Sequence, residues 1–227
     1  MVLRLKSDSP LIMAHGKFHF SFDLMPGQSV ALVGPNGIGK STFLHFLKTR
    51  FRSDYPLLLP GFLEQFPLSP LGEVSGRDLL EMLSEEFPDR ILYRPWRDYA
   101  LLKELKWREK IDRPICQLSG GENQVLKILA HFFLRTDVHF LDEPSNHLDD
   151  RKKEVLVRTM VECLAGPLSS ASQASSMLVI DHDLSFLRQT CTGIVPILKK
   201  GDGEWEASTF HRMEEISDAL WKQWISS

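Results

Sequence analysis

The stretch that most constrains this chain is LVGPNGIGKST, residues 32–42. A short apolar run, Val30 to Val33, ends at Gly34. After four intervening residues come Gly39, Lys40 and Ser41, and then Phe43, Phe46 and Leu47 at helical spacing. That order is strand, glycine loop, helix, with G-x-x-x-x-G-K-S in the loop. Gly34, Gly37 and Gly39 let backbone N–H groups converge on an anion without a Cβ in the way. The helix that follows aims its positive end at the same spot. Lys40 can reach the outer phosphates of a nucleotide, and the Ser41 hydroxyl can ligate Mg²⁺. The plain alternative is a glycine-bearing turn with a chance Lys-Ser, but both flanks match the phosphate-binding context.

The chain has 227 residues, enough for one large α/β domain or a domain with a subdomain. Its net charge of −3 supplies no cationic field to recruit nucleic acid or an anionic membrane. The three cysteines, Cys116, Cys163 and Cys191, are widely spaced, as expected of reduced thiols in the cytoplasm. No apolar run approaches the roughly 20 residues of a membrane span, and the N-terminal residues have no apolar signal region. A cytoplasmic protein is expected, free or peripheral at the cytoplasmic face of a membrane. Any membrane-embedded part would come from another chain.

Along the chain, Phe18, Phe20 and Phe22 alternate with polar residues, a half-buried strand pattern that reads as core. Residues 50–72 are proline-rich and irregular. Residues 73–115 read as helical pieces broken by Pro88, Pro95 and Pro114. That block mixes Arg90, Arg94, Arg97, Lys103, Lys106, Arg108, Lys110 and Arg113 with Tyr93, Trp96, Tyr99 and Trp107. Interleaved cations and rings can form a nucleic-acid surface. The acidic residues between Asp89 and Asp112 favour a mixed solvated or partner-binding face instead.

From residue 118 the pattern becomes regular. A glycine pair opens a helix with Val125, Ile128, Leu129, Phe132 and Phe133 as its apolar stripe. Strands are expected at 138–142, 177–181 and 194–198, and a Ser-rich loop at 166–176. The tail 205–227 carries Trp205, Phe210, Met213, Ile216, Leu220 and Trp224 at spacing suited to a helix. Strands alternating with helices imply an α/β fold with a mostly parallel sheet. The strand at 138–142 ends in Asp142-Glu143, two carboxylates at the edge where open α/β sheets bind ligands. In a P-loop NTPase the first holds Mg²⁺, here through water, and Glu143 is free to orient or deprotonate the attacking water.

With LSGGE at 118–122, LDEPSNHLD at 141–149 and VIDHD at 179–183 in addition, the chain resembles the nucleotide-binding domain of the ATP-binding-cassette (ABC) family. The resemblance covers nearly the whole chain. It implies a P-loop NTPase fold with a reduced N-terminal β-subdomain and an inserted α-helical subdomain. Residues 1–66 and 116–204 would form the ATP-binding core, 67–115 the helical subdomain and 205–227 a C-terminal helix. It also implies ATP and Mg²⁺ as cofactors. Gly34, Asn36, Gly37, Gly39, Lys40, Ser41 and Thr42 would hold the nucleotide, and Gln65 would sense the γ-phosphate and metal. Ser41, Gln65 and Asp142 would serve the metal. Glu143 would be the catalytic carboxylate, with Lys40 and His182 contacting the γ-phosphate. Ser119, Gly120 and Gly121 would contact ATP bound to a second copy, and Asp149 would lie at that dimer interface. A Ser-Gly-Gly at a helix start is by itself a second anion site, which fits two ATP molecules sandwiched head to tail.

Several departures accompany the resemblance. The span from Lys40 to Gln65 is short, and Leu11–Met13 is apolar where the family places an adenine-stacking ring, a role Phe18 could take. Val125 stands where arginine is common. His139 stands where an aliphatic residue is usual and reads as a satisfied core histidine. Three functions follow from the resemblance. One is the ATP-hydrolysing subunit of an ABC transporter, docking on an integral membrane permease through residues 67–115. A single short cassette without a long helical linker favours it. The second is a soluble ATPase like the ABC-F group, to whose SNHLD and DHDLSFL-type segments this chain is similar, acting on the ribosome or another cytosolic assembly. The third is an ATP-binding regulator with little turnover.

Overall fold

In the computed structural model, residues 2–6, 9–13, 16–64, 68, 72–92, 100–165 and 174–226 are described. The N-terminal strands are β1 (Leu3–Lys6), β2 (Leu11–Met13) and β3 (Gly16–Leu24). β4 (Ser29–Val33) leads through the glycine loop into α1 (Lys40–Asp54), and β5 (Pro60–Leu63) follows. Then come α2 (Gly76–Glu86), α3 (Ala100–Glu104), α4 (Gly120–Phe133), β6 (Val138–Asp142) and α5 (Asp150–Ala165). β7 (Ser176–Ile180), α6 (Leu184–Thr190), β8 (Gly193–Pro196), β9 (Leu198–Gly201), β10 (Glu204–Ala207), β11 (His211–Arg212) and α7 (Asp218–Ser226) complete the order.

A six-stranded sheet runs β11-β8-β4-β7-β6-β5. It is parallel except for β11, which pairs antiparallel with β8. Every residue of β4, β6 and β7 is buried, as a sheet covered on both faces requires. Alternation then sorts the side chains. Val30, Leu32, Phe140, Leu178 and Ile180 face α1, whereas Ala31, Val33, Leu141, Met177 and Val179 join the core formed with α4, α5 and α6.

α1 lies between the two sheets. Its Phe43, Leu44, Leu47 and Phe51 are buried, and Phe43 meets Phe20 at 4.7 Å and Phe18 at 5.3 Å between ring centroids. The expected aromatic strand is β3, with Phe18, Phe20, Phe22 and Leu24 all buried. Phe18 is 2% exposed and packed edge-on to Phe43, so it is committed to the core and is not available to stack on a base.

The second sheet is not built from the N-terminal residues alone. Its order is β1-β3-β10-β9, with β2 also on β3, and β10 joins β3 in parallel, Phe18 opposite Trp205. The tail therefore departs from the expected helix: only Asp218–Ser226 is α-helical, and Trp205 belongs to a strand. Spacing suited to a helix was outweighed by pairing with β3 and β9, whose unpaired edges the segment satisfies. The strand expected at 194–198 divides at Pro196 and Ile197, giving β8 and then β9 in the other sheet.

Residues 73–115 are less helical than expected. Among the described residues, helix covers 76–86 and 100–104, with 3-10 turns at 88–90 and 115–117. Ser75 opens α2 by accepting from the Asp78 N–H while the Asp78 carboxylate accepts from Ser75 N, a closed capping box. Trp107, one of the rings interleaved with cations, is 1% exposed and lies in the core. Tyr93, Arg94, Trp96, Arg97 and Tyr99 lie outside the described residues, as do 166–173 of the Ser-rich loop. No helix among the described residues is long and apolar enough to cross a membrane.

Candidate functional site

The glycine loop connects β4 to α1 with Gly37 at φ 78° and Gly39 at φ 101°. Both are left-handed conformations that only glycine adopts without strain. Asn36, Gly37, Ser41 and Thr42 are solvent-accessible, whereas Gly34 is buried against Ile197. Lys40 folds back over the loop: its Nζ donates to the carbonyls of Gly34 at 2.8 Å and Pro35 at 2.9 Å. Burial lowers its pKa, and the nearby carboxylates of Glu143 and Asp142 oppose that shift. The lysine and the two acids, about a hundred residues apart in sequence, therefore share one electrostatic site.

The neighbourhood follows from parallel pairing. β6 lies between β5 and β7, with Asp142 opposite Ile180, so the strand ends that carry Asp142 and Asp181 are adjacent. Asp142 is 5% exposed. Glu143 leaves β6 at φ 48°, an uncommon value for a non-glycine residue, and its N–H donates to the Ile180 carbonyl at 2.7 Å. One carboxylate oxygen of Glu143 lies 3.4 Å from His182 Nε2, and the other accepts from Asn146 Nδ2 at 3.0 Å. Asp181 accepts from the N–H and hydroxyl of Ser145, at 3.0 and 2.9 Å, and from Asp183 N–H at 2.9 Å. Burial nonetheless raises its pKa. Asp183 caps α6 through the Phe186 N–H and pairs with Lys153 at 2.6 Å. Glu143, Ser145, Asn146, Lys153, Asp181, His182 and Asp183 line part of an open cleft of about 360 Å³.

Ser119 caps α4 by accepting from the Glu122 N–H, and the Glu122 carboxylate accepts from Ser119 N at 2.9 Å. Lys110 at 2.8 Å and Arg113 at 3.0 Å also bind Glu122. Lys110's hydrogen bond and then the Ser119 N–H bring its pKa down to about 2. Two cations of the mixed block are thus committed to the α4 cap. A Cβ on Gly121 would stand 2.9 Å from the His147 carbonyl, so the start of α4 touches the SNHLD loop, where His147 itself has φ 60°. Asp149 accepts from Lys152 N–H at 3.0 Å and also pairs with the Lys152 ammonium, whose hydrogen bond lowers its pKa.

Lys40, Asp142, Glu143 and His182 are therefore brought together. Ser119, Gly120 and Gly121 stand apart at the head of α4, without a hydrogen bond to the glycine loop among the described residues. Gln65 lies outside the described residues. The expected satisfied core histidine is only half satisfied. His139 is 2% exposed and its Nδ1 lies 2.9 Å from His131 Nε2, but its own Nε2 meets no partner among the described residues.

Sequence reasoning passed over Gln124, which donates to the carbonyls of Glu143 at 3.2 Å and Pro144 at 3.1 Å. It also passed over Lys127, which donates to the Glu64 carbonyl at 3.3 Å. A signal was present: Gln124, Lys127 and His131 recur every three to four residues on an otherwise apolar helix.

Residues 18–55 match the ABC transporter family model. The chain is 28% identical over 214 residues to the putative ATP-binding protein YdiF of Bacillus subtilis, covering 86% of this chain and 30% of that protein. It is 28% identical over 186 residues to the ribosome protection protein VmlR of the same organism, covering 80% of this chain and 31% of the relative. The chain thus spans under a third of the length of these curated relatives. Among solved structures, an ATP-binding subunit of an ABC transporter superposes with a TM-score of 0.77 at 20% identity, covering 98% of this chain and 99% of that one.

Proposed function

The chain belongs to the ATP-binding-cassette family as a nucleotide-binding domain, and on that premise we propose that it binds and hydrolyses MgATP in a head-to-tail dimer. The observation that carries this reading is the convergence of Lys40 with Asp142, Glu143 and the Glu143–His182 contact at one edge of the parallel sheet. Lys40 fits a phosphate: its buried ammonium donates to loop carbonyls that an anion could replace. The loop N–H groups and the start of α1 point toward the same anion site. Asp142, buried at a strand end, and the accessible Ser41 hydroxyl fit a hard divalent cation with oxygen ligands. When bound there, Mg²⁺ supplies charge neutralisation for the departing phosphate.

In this mechanism the loop N–H groups and Lys40 orient the phosphates. Glu143, held by Asn146 and the Ile180 carbonyl, positions a water and takes its proton. His182, 3.4 Å from the Glu143 carboxylate, is aligned by it toward the γ-phosphate. Gln65 would complete the metal and γ-phosphate contacts. Ser119, Gly120 and Gly121 stand apart at the exposed N-terminal end of α4, which supports their serving the ATP of a second domain, with Asp149 at that interface. Closure would complete each pocket, and hydrolysis would release it.

Glu143→Gln is expected to lower steady-state hydrolysis at least about a hundredfold, and to trap an ATP-bound dimer detectable by light scattering. A Gln variant with wild-type turnover would refute the role of the base. An ATP-loaded variant that remains monomeric at high concentration would refute the sandwich.

For the load on this cycle, the likeness to VmlR and the SNHLD segment favour an ABC-F-like protein acting on the ribosome. The alternative partner is a membrane permease docked on residues 67–115, in keeping with the family model's description and the end-to-end superposition on a transporter subunit. Co-sedimentation with ribosomes against co-purification with an integral membrane protein separates the two.

A further inference from the structure

α4 is apolar on most of its surface, yet Gln124, Lys127 and His131 form a polar stripe along one face. Each grips backbone or side chain on the strands that end at the site. Gln124 holds the carbonyls of Glu143 and Pro144 just past β6. His131 donates to the Phe62 carbonyl on β5 and meets His139 of β6. Lys127, between them, donates to the carbonyl of Glu64, the residue following β5.

The Lys127 contact is costly for a purely structural bond. Burial lowers its pKa, with no offsetting carboxylate among the described residues, so its ammonium is held partly desolvated against a main-chain oxygen. The Glu64 carboxylate is turned elsewhere, with one oxygen 3.0 Å from Lys48 of α1 and the other buried without a partner among the described residues. Glu64 is thus tied by its side chain to the helix that begins at Lys40, and by its carbonyl to the helix that begins with Gly120-Gly121. That carbonyl belongs to the peptide group joining Glu64 to Gln65, and among the described residues β5 is the edge strand, paired on one side only.

We propose that Lys127 is a positioning residue: its hold on the Glu64 carbonyl fixes where the chain leaves β5 relative to Glu143, so that engagement at the head of α4 is coupled to hydrolysis. The proposal rests on the ATPase reading above and deepens it. Lys127 touches neither nucleotide nor water in this scheme. It acts through the backbone, and its effect falls on turnover more than on ATP affinity.

The test uses the full chain with Lys127→Met and Lys127→Arg. The Met variant is expected to lower kcat about ten- to a hundredfold, the scale of a small misplacement of catalytic groups. Its KM for ATP should stay within about twofold of wild type, since Lys127 contributes no ground-state binding, and its melting curve should be unshifted. Arg, which can donate to the same carbonyl, should restore most of kcat. Hydrogen exchange of a peptide spanning residues 58–72 should speed up in Met and not in Arg, a readout independent of hydrolysis. Unchanged kcat in Met, or a loss that tracks a lower melting temperature and is not rescued by Arg, overturns the proposal. A wild-type chain without ATPase activity would overturn the ATPase reading and the coupling with it, whereas unchanged exchange in Met would overturn the clamp alone.

Discussion

The buried histidine pair makes the protein sensitive to mild acid, by an amount that can be worked from the structure. His131 is buried between α4 and β6, and its pKa falls from the ordinary 6.5 to about 4 because burial disfavours the imidazolium, with Arg90 adding to the shift and the Phe62 carbonyl opposing it. His139 is shifted in the same direction by burial and then by His131. Both are neutral when folded, while the unfolded chain takes up their protons near pH 6.5. Stability from the pair is therefore fully present above pH 6.5 and is lost as pH falls from 6.5 toward about 4. For His131 alone the whole shift corresponds to about 3 kcal/mol at 1.36 kcal/mol per pH unit, of which about 2 kcal/mol is gone by pH 5.

The perturbation is a His131→Leu, His139→Leu double variant, assayed by urea unfolding from pH 8 to pH 5. At pH 8 it gives up the His131–His139 contact and the His131 bond to the Phe62 carbonyl, and removes the His139 Nε2 that has no partner among the described residues, terms of about 1 kcal/mol each with the last of opposite sign. A net loss of about 1 kcal/mol is expected there. Between pH 8 and pH 5 the wild type should lose at least about 2 kcal/mol more than the variant, which lacks both titrations. Parallel pH profiles for the two proteins would refute the reasoning.

Two further outcomes follow from the site. Glu122→Ala removes the carboxylate half of the α4 capping box, keeps the Ser119 hydroxyl cap, and leaves Lys110 and Arg113 without their shared carboxylate, so urea unfolding at pH 7 should show a loss of about 1 kcal/mol. In the wild type that contribution is present above pH 4.5 and lost as pH falls toward about 2, so wild type and variant should converge in acid. Gly39→Ala places a Cβ at φ 101° at the head of α1, costing roughly 1–2 kcal/mol of strain; titration with a fluorescent ATP analogue should show affinity reduced at least about tenfold.

Much of the site is legible in the chain because its chemistry sits in short local patterns. The glycine loop, the Ser119–Glu122 cap and the Asp142-Glu143 strand end each depend on neighbours within a few residues; hydrophobic period places β3 and α4, and short apolar runs place β4, β6 and β7. What sequence could not decide depended on distant partners. Trp205 reads as helical until β3 and β9 offer it their edges, and Phe18, read as core, stays open as a base-stacking ring until α1 closes over it. His139 reads as a satisfied core residue until the position of α4 leaves its Nε2 without a partner among the described residues. Lys127 reads as an ordinary helical lysine until the same helix brings its ammonium to a carbonyl 63 positions earlier in the chain. Local backbone geometry and burial periodicity are written in consecutive residues, so the sequence determines them. Pairing across sheets and contacts between helix and strand end are settled by which long-range arrangement satisfies the most backbone and buries the most apolar surface, and only the tertiary structure decides that.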